Sequence, residues 1–124
     1  MKYSYWGFGL KISSEIKFPE LLPHEYTTAP DVVIKIGEVP AKISGNTITD
    51  TVLTYTINDY ELLLESEDVA KYYSKKGEGI VIEPKTPVDD WRGVRLHVLA
   101  SMMASVLQYK QRLPLHASAL LKNN

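Results

Sequence analysis

Residues 69–84, VAKYYSKKGEGIVIEP, hold two short runs rich in β-branched and aromatic residues, separated by a glycine-containing turn. This pattern predicts a β-hairpin with strands at 69–74 and 79–83 and a turn at 75–78. Because the same kinds of residue recur towards the N-terminus, further strands are predicted at 3–14, 31–37, 52–57 and 60–65.

The predicted first strand has large apolar residues at alternate positions, from Trp6 to Ile12, which indicates a strand with one buried face. Residues 18–31 contain three prolines, which cannot donate to a β-ladder, so we expect a surface connection there. Residues 1–85 are therefore predicted to be a β-rich region, in a domain of five to seven mostly antiparallel strands.

A long helix is predicted at 87–112, with Thr86 as its N-cap and Pro114 just after its end. Its apolar residues recur every three or four positions and cover more than one stripe, so we expect the helix to be buried and nearly surrounded. The mostly apolar residues 115–121 then predict a short strand. The expected fold is one α+β domain over 1–124, a β-rich antiparallel body with one long buried C-terminal helix followed by a short strand.

Composition and charge exclude several classes of function. The chain has 124 residues, 44% of them hydrophobic, and a net charge of −1, which does not favour nucleic-acid binding. Its zero cysteines exclude disulfides, thiolate nucleophiles and Cys-containing zinc sites. No membrane-spanning run or signal peptide is recognisable, so a cytoplasmic location is expected.

The three histidines are the first candidates for chemistry. His24 lies in the proline-rich connection and is interpreted as a solvated loop residue, and His97 on the helix as a structural side chain. His116 interrupts an apolar strand, where an unpaired imidazole would be costly, so a specific partner is expected for it. A small enzyme that uses His116 with a carboxylate is a minor hypothesis.

The remaining motifs predict no catalytic or metal-binding residue. Acidic clusters occur at 59–61, 65–68 and 89–90, and the last is explained by the start of the helix. Ser118 lacks the glycines of a nucleophile elbow, and no Gly-Lys-Ser/Thr loop is present for phosphates. Most of the tyrosines and Trp6 are expected to pack on the sheet.

Residues 113–120, LPLHASAL, preceded by the helix, resemble the segment just upstream of the nucleotide-binding loop in HPr-serine-kinase-like proteins. Residues 9–21, 31–40 and 69–84 also look like the β-rich N-terminal region of these kinases. The resemblance implies ATP, Mg²⁺ and a P-loop kinase domain downstream of this segment, with a protein or peptide serine as substrate. It implies no catalytic residue here, and it places His116 and Ser118 only adjacent to a downstream nucleotide site.

Two hypotheses of function follow. The first is a non-catalytic N-terminal domain of an HPr-serine-kinase-like protein, inactive alone, that supports or presents substrate to a kinase domain absent from this chain. The second is a stand-alone peptide-binding or self-assembling module without kinase activity. The expected partners are a downstream kinase domain, a peptide or protein substrate, or a second copy through 115–121, without nucleic acid or membrane.

Overall fold

The computed structural model describes residues 3–85 and 90–110 of the chain. The described residues form one mostly antiparallel nine-stranded sheet with a C-terminal helix, which confirms the predicted α+β class. The strands are β1 (Tyr3–Gly7), β2 (Leu10–Ser14), β3 (Leu22–Pro23), β4 (Val32–Ile36), β5 (Asn46–Asp50), β6 (Leu53–Ile57), β7 (Glu61–Ser66), β8 (Ala70–Lys75) and β9 (Gly79–Pro84).

The strands lie in the order β3-β1-β2-β4-β9-β8-β7-β6-β5. Strands β5 to β9 form an antiparallel meander, and β1 to β3 form a second antiparallel group. Strand β4 joins the two groups because it pairs in parallel with both β2 and β9. The sheet therefore has two free edges among the described residues, β3 on one side and β5 on the other.

The predicted single strand at 3–14 is wrong, because it is a hairpin of β1 and β2. Phe8 and Gly9 both have positive φ, 57° and 73°, as a two-residue type I′ turn requires. The reversal places Trp6 opposite Lys11 and leaves Trp6 and Phe8 each 43% exposed, whereas Leu10 is buried. The alternation of apolar residues thus crosses a turn and does not mark one buried face.

The other strand predictions between residues 31 and 83 agree with the structure to within about one residue, and the predicted turn at 75–78 is present, with positive φ at Lys76 and Gly77. Nine strands exceed the five to seven expected, since the first strand is two and β3 and β5 were not predicted. In the proline-rich connection, Phe18 is 1% exposed and packs in the core. The connection is therefore anchored at this side chain.

Side chains alternate between two faces of the sheet. The helix face carries the core, in which a row from Tyr55 through Leu64 and Tyr72 to Ile82 crosses four strands and Tyr72 contacts His97 of the helix. The opposite face, here called the open face, carries mainly threonine and charged residues, at Thr47, Thr49, Thr54, Thr56, Glu65, Lys71, Glu83 and Lys35.

The helix begins as α1 (Arg92–His97), continues through a π-helical turn (Val98–Met102) and ends as α2 (Met103–Tyr109). One side of it is buried on the sheet, while Leu96 and Tyr109 are 62% and 45% exposed. Within the described part of the chain the helix is covered on one side only, whereas it was expected to be nearly surrounded. The predicted helix start is wrong, because the N-cap of the described helix is Trp91, five residues after the predicted N-cap Thr86. The predicted strand at 115–121 lies outside the described residues.

Candidate protein-binding edge of the sheet

A group of apolar and aromatic side chains, most of them exposed, lies where β1 and β3 form one edge of the sheet. We call it the aromatic edge and define it as Trp6, Phe8, Leu22, His24 and Tyr26. Leu22 is 64% exposed and pairs in register with Trp6, which places both on the open face. Half of all the Trp, Tyr and Phe residues of the chain lie between residues 3 and 26.

Three rings of the aromatic edge, those of Trp6, His24 and Tyr26, form a continuous row. The centroids of Trp6 and His24 are 6.0 Å apart, and those of His24 and Tyr26 are 6.5 Å apart in a stacked arrangement. The backbone N–H of His24 donates to the carbonyl oxygen of Ser4 at 3.0 Å, which fixes this row beside β1. The structure therefore places His24 in an aromatic row. From the sequence it was interpreted as a solvated loop residue, and this contact with other rings was not predicted.

A buried pair of rings supports the edge from the helix face. The backbone N–H of Phe18 donates to Tyr5 Oη at 2.8 Å, and the two rings meet edge-on with centroids 6.1 Å apart. A groove of about 410 Å³ lies beside this pair. Aromatic, aliphatic and polar side chains line it, namely those of Tyr3, Ser4, Tyr5, Lys17, Phe18, Pro19, Leu21, Pro23, His24 and Glu25.

Strand β3 is poorly suited to pairing with a further strand. It has only two residues, and one of them, Pro23, has no backbone N–H. A partner at this edge would therefore be held by side-chain contacts and not by an added strand. Exposed Trp, Tyr and neighbouring apolar side chains are the residues that dominate the energy of protein–protein contacts.

A second groove, of about 370 Å³, lies between the β6–β7 turn and the end of the helix. At its margin Tyr73 Oη donates to Glu61 Oε2 at 2.5 Å, and Asn58 Nδ2 donates to Glu61 Oε1 at 3.0 Å. The hydrogen bond from Tyr73 lowers the pKa of Glu61, and burial together with this bond raises the pKa of Tyr73 to about 12. Glu61 is thus an ionised carboxylate already engaged by two donors, and the structure does not pair it with Asp59 as an acid–base couple.

The other sequence candidates have structural partners. His97 packs against Tyr72 with ring centroids 5.6 Å apart, and burial lowers its pKa, so the neutral imidazole is favoured. Glu65 forms an ion pair with Lys85 at 2.7 Å and does not join Glu67 and Asp68 in a cluster. Asp90 accepts from Arg92, at the start of the helix.

His116 and Ser118 lie outside the described residues, so their expected position next to a nucleotide site remains a prediction. Within 3–85 and 90–110, no group of three or more His, Asp or Glu side chains is arranged to hold a metal ion. In the same part of the chain no helix has the length and hydropathy needed to cross a bilayer. Comparison with protein-family models, curated proteins and solved structures found no match.

Proposed function

We propose that this chain is the non-catalytic N-terminal domain of an HPr-serine-kinase-like protein, and that it presents a peptide or protein substrate to a P-loop kinase domain that lies outside these 124 residues. The aromatic edge is the surface that binds the substrate. ATP and Mg²⁺ belong to the kinase domain in this proposal, and no residue of this chain takes part in phosphoryl transfer.

One observation carries the proposal. The aromatic edge exposes Trp6, Phe8 and Leu22 together, and burying such side chains stabilises a complex by roughly 25 cal/mol for each Å² of apolar surface removed from water. The stacked His24 and Tyr26 rings continue the apolar surface along the chain, and Lys11, opposite Trp6, adds a positive charge at its margin. A peptide with aromatic or aliphatic anchors near an acidic residue matches this combination.

The first test measures binding. A phage-displayed library of serine-containing peptides is selected on the immobilised chain, and the enriched peptides are titrated calorimetrically. We expect Trp6→Ala to weaken binding about 30-fold, the loss typical of a central aromatic anchor.

The chain offers a matched control for this test. Leu22 and Leu96 have nearly equal exposure, 64% and 62%, but Leu96 lies on the helix, which covers the face of the sheet opposite to Trp6 and Leu22. Leu22→Ser is expected to weaken binding, and Leu96→Ser to leave it unchanged. Equal losses in the two variants would contradict the assignment of this edge.

The second test measures presentation. An HPr-serine-kinase-like P-loop domain is given ATP, Mg²⁺ and an enriched peptide, with and without the chain, and the rate of serine phosphorylation is followed by mass spectrometry. We expect the chain to accelerate the reaction and Trp6→Ala to abolish the acceleration. Phosphorylation by the chain alone would refute a non-catalytic role.

A further inference from the structure

The opposite edge of the sheet has none of the protection found at β3. All five residues of β5, Asn46 to Asp50, are exposed, and in the described part of the chain β5 pairs only with β6. It contains no proline and no lysine, the residues that commonly block an edge strand from pairing. Ile48, at its centre, is 50% exposed.

The hairpin geometry determines which backbone groups of β5 are free. β5 and β6 are joined by the two-residue turn Thr51–Val52, so the closing pair Asp50 and Leu53 is hydrogen-bonded and the pairs alternate from there. Thr47 and Thr49 consequently occupy non-hydrogen-bonded positions towards β6. Their N–H and C=O groups point outward, away from the sheet.

The sequence of β5, Asn-Thr-Ile-Thr-Asp, is nearly symmetric about Ile48. If a second copy of β5 lies antiparallel beside the first, Ile48 faces Ile48 at the centre. Thr47 of each copy then faces Thr49 of the other copy, and Asn46 of each copy faces Asp50 of the other. Thr–Thr pairs are favourable across strands, and an Asn amide donates well to an Asp carboxylate. The two Asp50 side chains are kept apart by this register.

The free backbone hydrogen-bonding groups of β5 favour the same register. Thr47 and Thr49 are the residues with outward N–H and C=O groups, and the symmetric alignment places them opposite each other, where each pair exchanges two N–H···O bonds. Ile48 then meets Ile48 of the second copy as a non-hydrogen-bonded pair, in which side chains are closest. Shifting the register by one residue would place helix-face side chains opposite open-face side chains.

We propose that two copies of this chain associate through their β5 edges about a two-fold axis at Ile48, so that the two sheets become continuous. The contact is isologous, as in most homodimers, because the same five residues serve both copies. Ile48 shares the helix face with Tyr55, so the dimer also joins the two apolar surfaces beside the helices. This interface is distinct from residues 115–121, through which self-association was predicted.

The first experiment uses the absence of cysteine from the chain. The Ile48→Cys variant carries a single thiol, and residues in a non-hydrogen-bonded pair have Cα atoms about 4.5 Å apart, within the range a disulfide spans. Val52→Cys is the matched control, since Val52 is 53% exposed but lies in the turn. On addition of diamide, we expect Ile48→Cys to cross-link at least tenfold faster than Val52→Cys, and equal rates would overturn the proposal.

The second experiment measures mass by sedimentation equilibrium over about 1 µM to 1 mM, the range expected for a small interface. The wild-type chain should approach twice its 14.0 kDa monomer mass. Ile48→Lys and Ile48→Glu should each remain monomeric, because like charges meet at the axis, whereas an equimolar mixture should again form dimers. A wild-type chain that stays monomeric throughout, or a mixture that does not associate, would refute the pairing.

A third variant separates backbone pairing from side-chain contact. Thr49→Pro removes one outward N–H without disturbing the bonds to β6, and Thr49→Val keeps that N–H. We expect the proline variant to be monomeric and the valine variant to dimerise like the wild type. If Thr49→Pro dimerises as strongly as the wild type, the strands do not pair in this register.

Discussion

Tyr72 and Tyr73 are adjacent on β8 and point to opposite faces of the sheet, so removing each hydroxyl tests two environments with the same chemical change. The Tyr72 ring is fully buried against the helix, and its hydroxyl has no hydrogen-bond partner among the described residues. The Tyr73 hydroxyl donates to Glu61. We therefore predict effects of opposite sign from Tyr72→Phe and Tyr73→Phe.

The size of the Tyr72 effect follows from its burial. Leaving a buried polar group without a partner costs roughly 1–3 kcal/mol, which phenylalanine would recover. Phenylalanine loses the contacts of one oxygen atom, so we expect a net rise of about 1 kcal/mol in the free energy of unfolding. For a domain of this size, that rise corresponds to an increase of about 4 °C in Tm.

The assay is equilibrium urea unfolding at pH 7, followed by circular dichroism, with both variants and the wild type measured together. Tyr73→Phe should have a lower midpoint than the wild type because the carboxylate of Glu61 loses a donor. An unchanged m-value would show that only the stability has changed. A Tyr72→Phe variant less stable than the wild type would refute the reasoning and would mean that the hydroxyl is satisfied in solution.

Three further predictions concern the pH response, the core and a tight turn. The pKa of Glu61 is lowered on folding, so its contribution to stability is present above the ordinary value of 4.5 and is lost as the pH falls through the lowered value. Tyr73→Phe should therefore reduce the fall of the urea midpoint at acidic pH, and a fall identical to that of the wild type would count against this prediction. Phe18→Ala should reduce the free energy of unfolding by about 3–5 kcal/mol, since the side chain is 1% exposed, and a loss below about 1 kcal/mol in the same assay would show that the connection is not anchored there. Gly45→Ala should sharply lower Tm in calorimetry, because φ is 131° and the added Cβ would lie 2.2 Å from the Ile57 carbonyl oxygen; an unchanged Tm would contradict this backbone geometry.

The meander and the helix could be predicted from the sequence because the residue patterns that indicate them are local. Strands β6 to β9 are rich in β-branched and aromatic residues with turn residues between them, and the helix repeats apolar residues every three or four positions. Strand β5 was missed because both of its faces are exposed, and an exposed strand carries no apolar alternation. Its assignment depends on pairing with β6, which is tertiary information.

The aromatic edge was missed for a related reason. The alternation from Trp6 to Ile12 was interpreted as one buried face, whereas the glycines that flank Phe8 mark the turn that separates exposed Trp6 from buried Leu10. Attention to that glycine pair would have predicted the hairpin and the exposure of Trp6. The contact of His24 with Trp6 could not be foreseen because it depends on how the proline-rich connection returns along β1.

The parallel position of β4 between β2 and β9 has a consequence for how the chain folds. Each strand of the meander pairs with its neighbour in sequence, so these hairpins can form early and independently. The Ile34–Ile80 pairing must instead wait until the chain has closed a loop that contains β5 to β8. Substitutions in these early hairpins and at the contact of β4 with β9 should therefore slow folding, because both are formed by the time that the loop has closed. The folding time of this protein is then set at the centre of its sheet, where the two halves of the chain first meet.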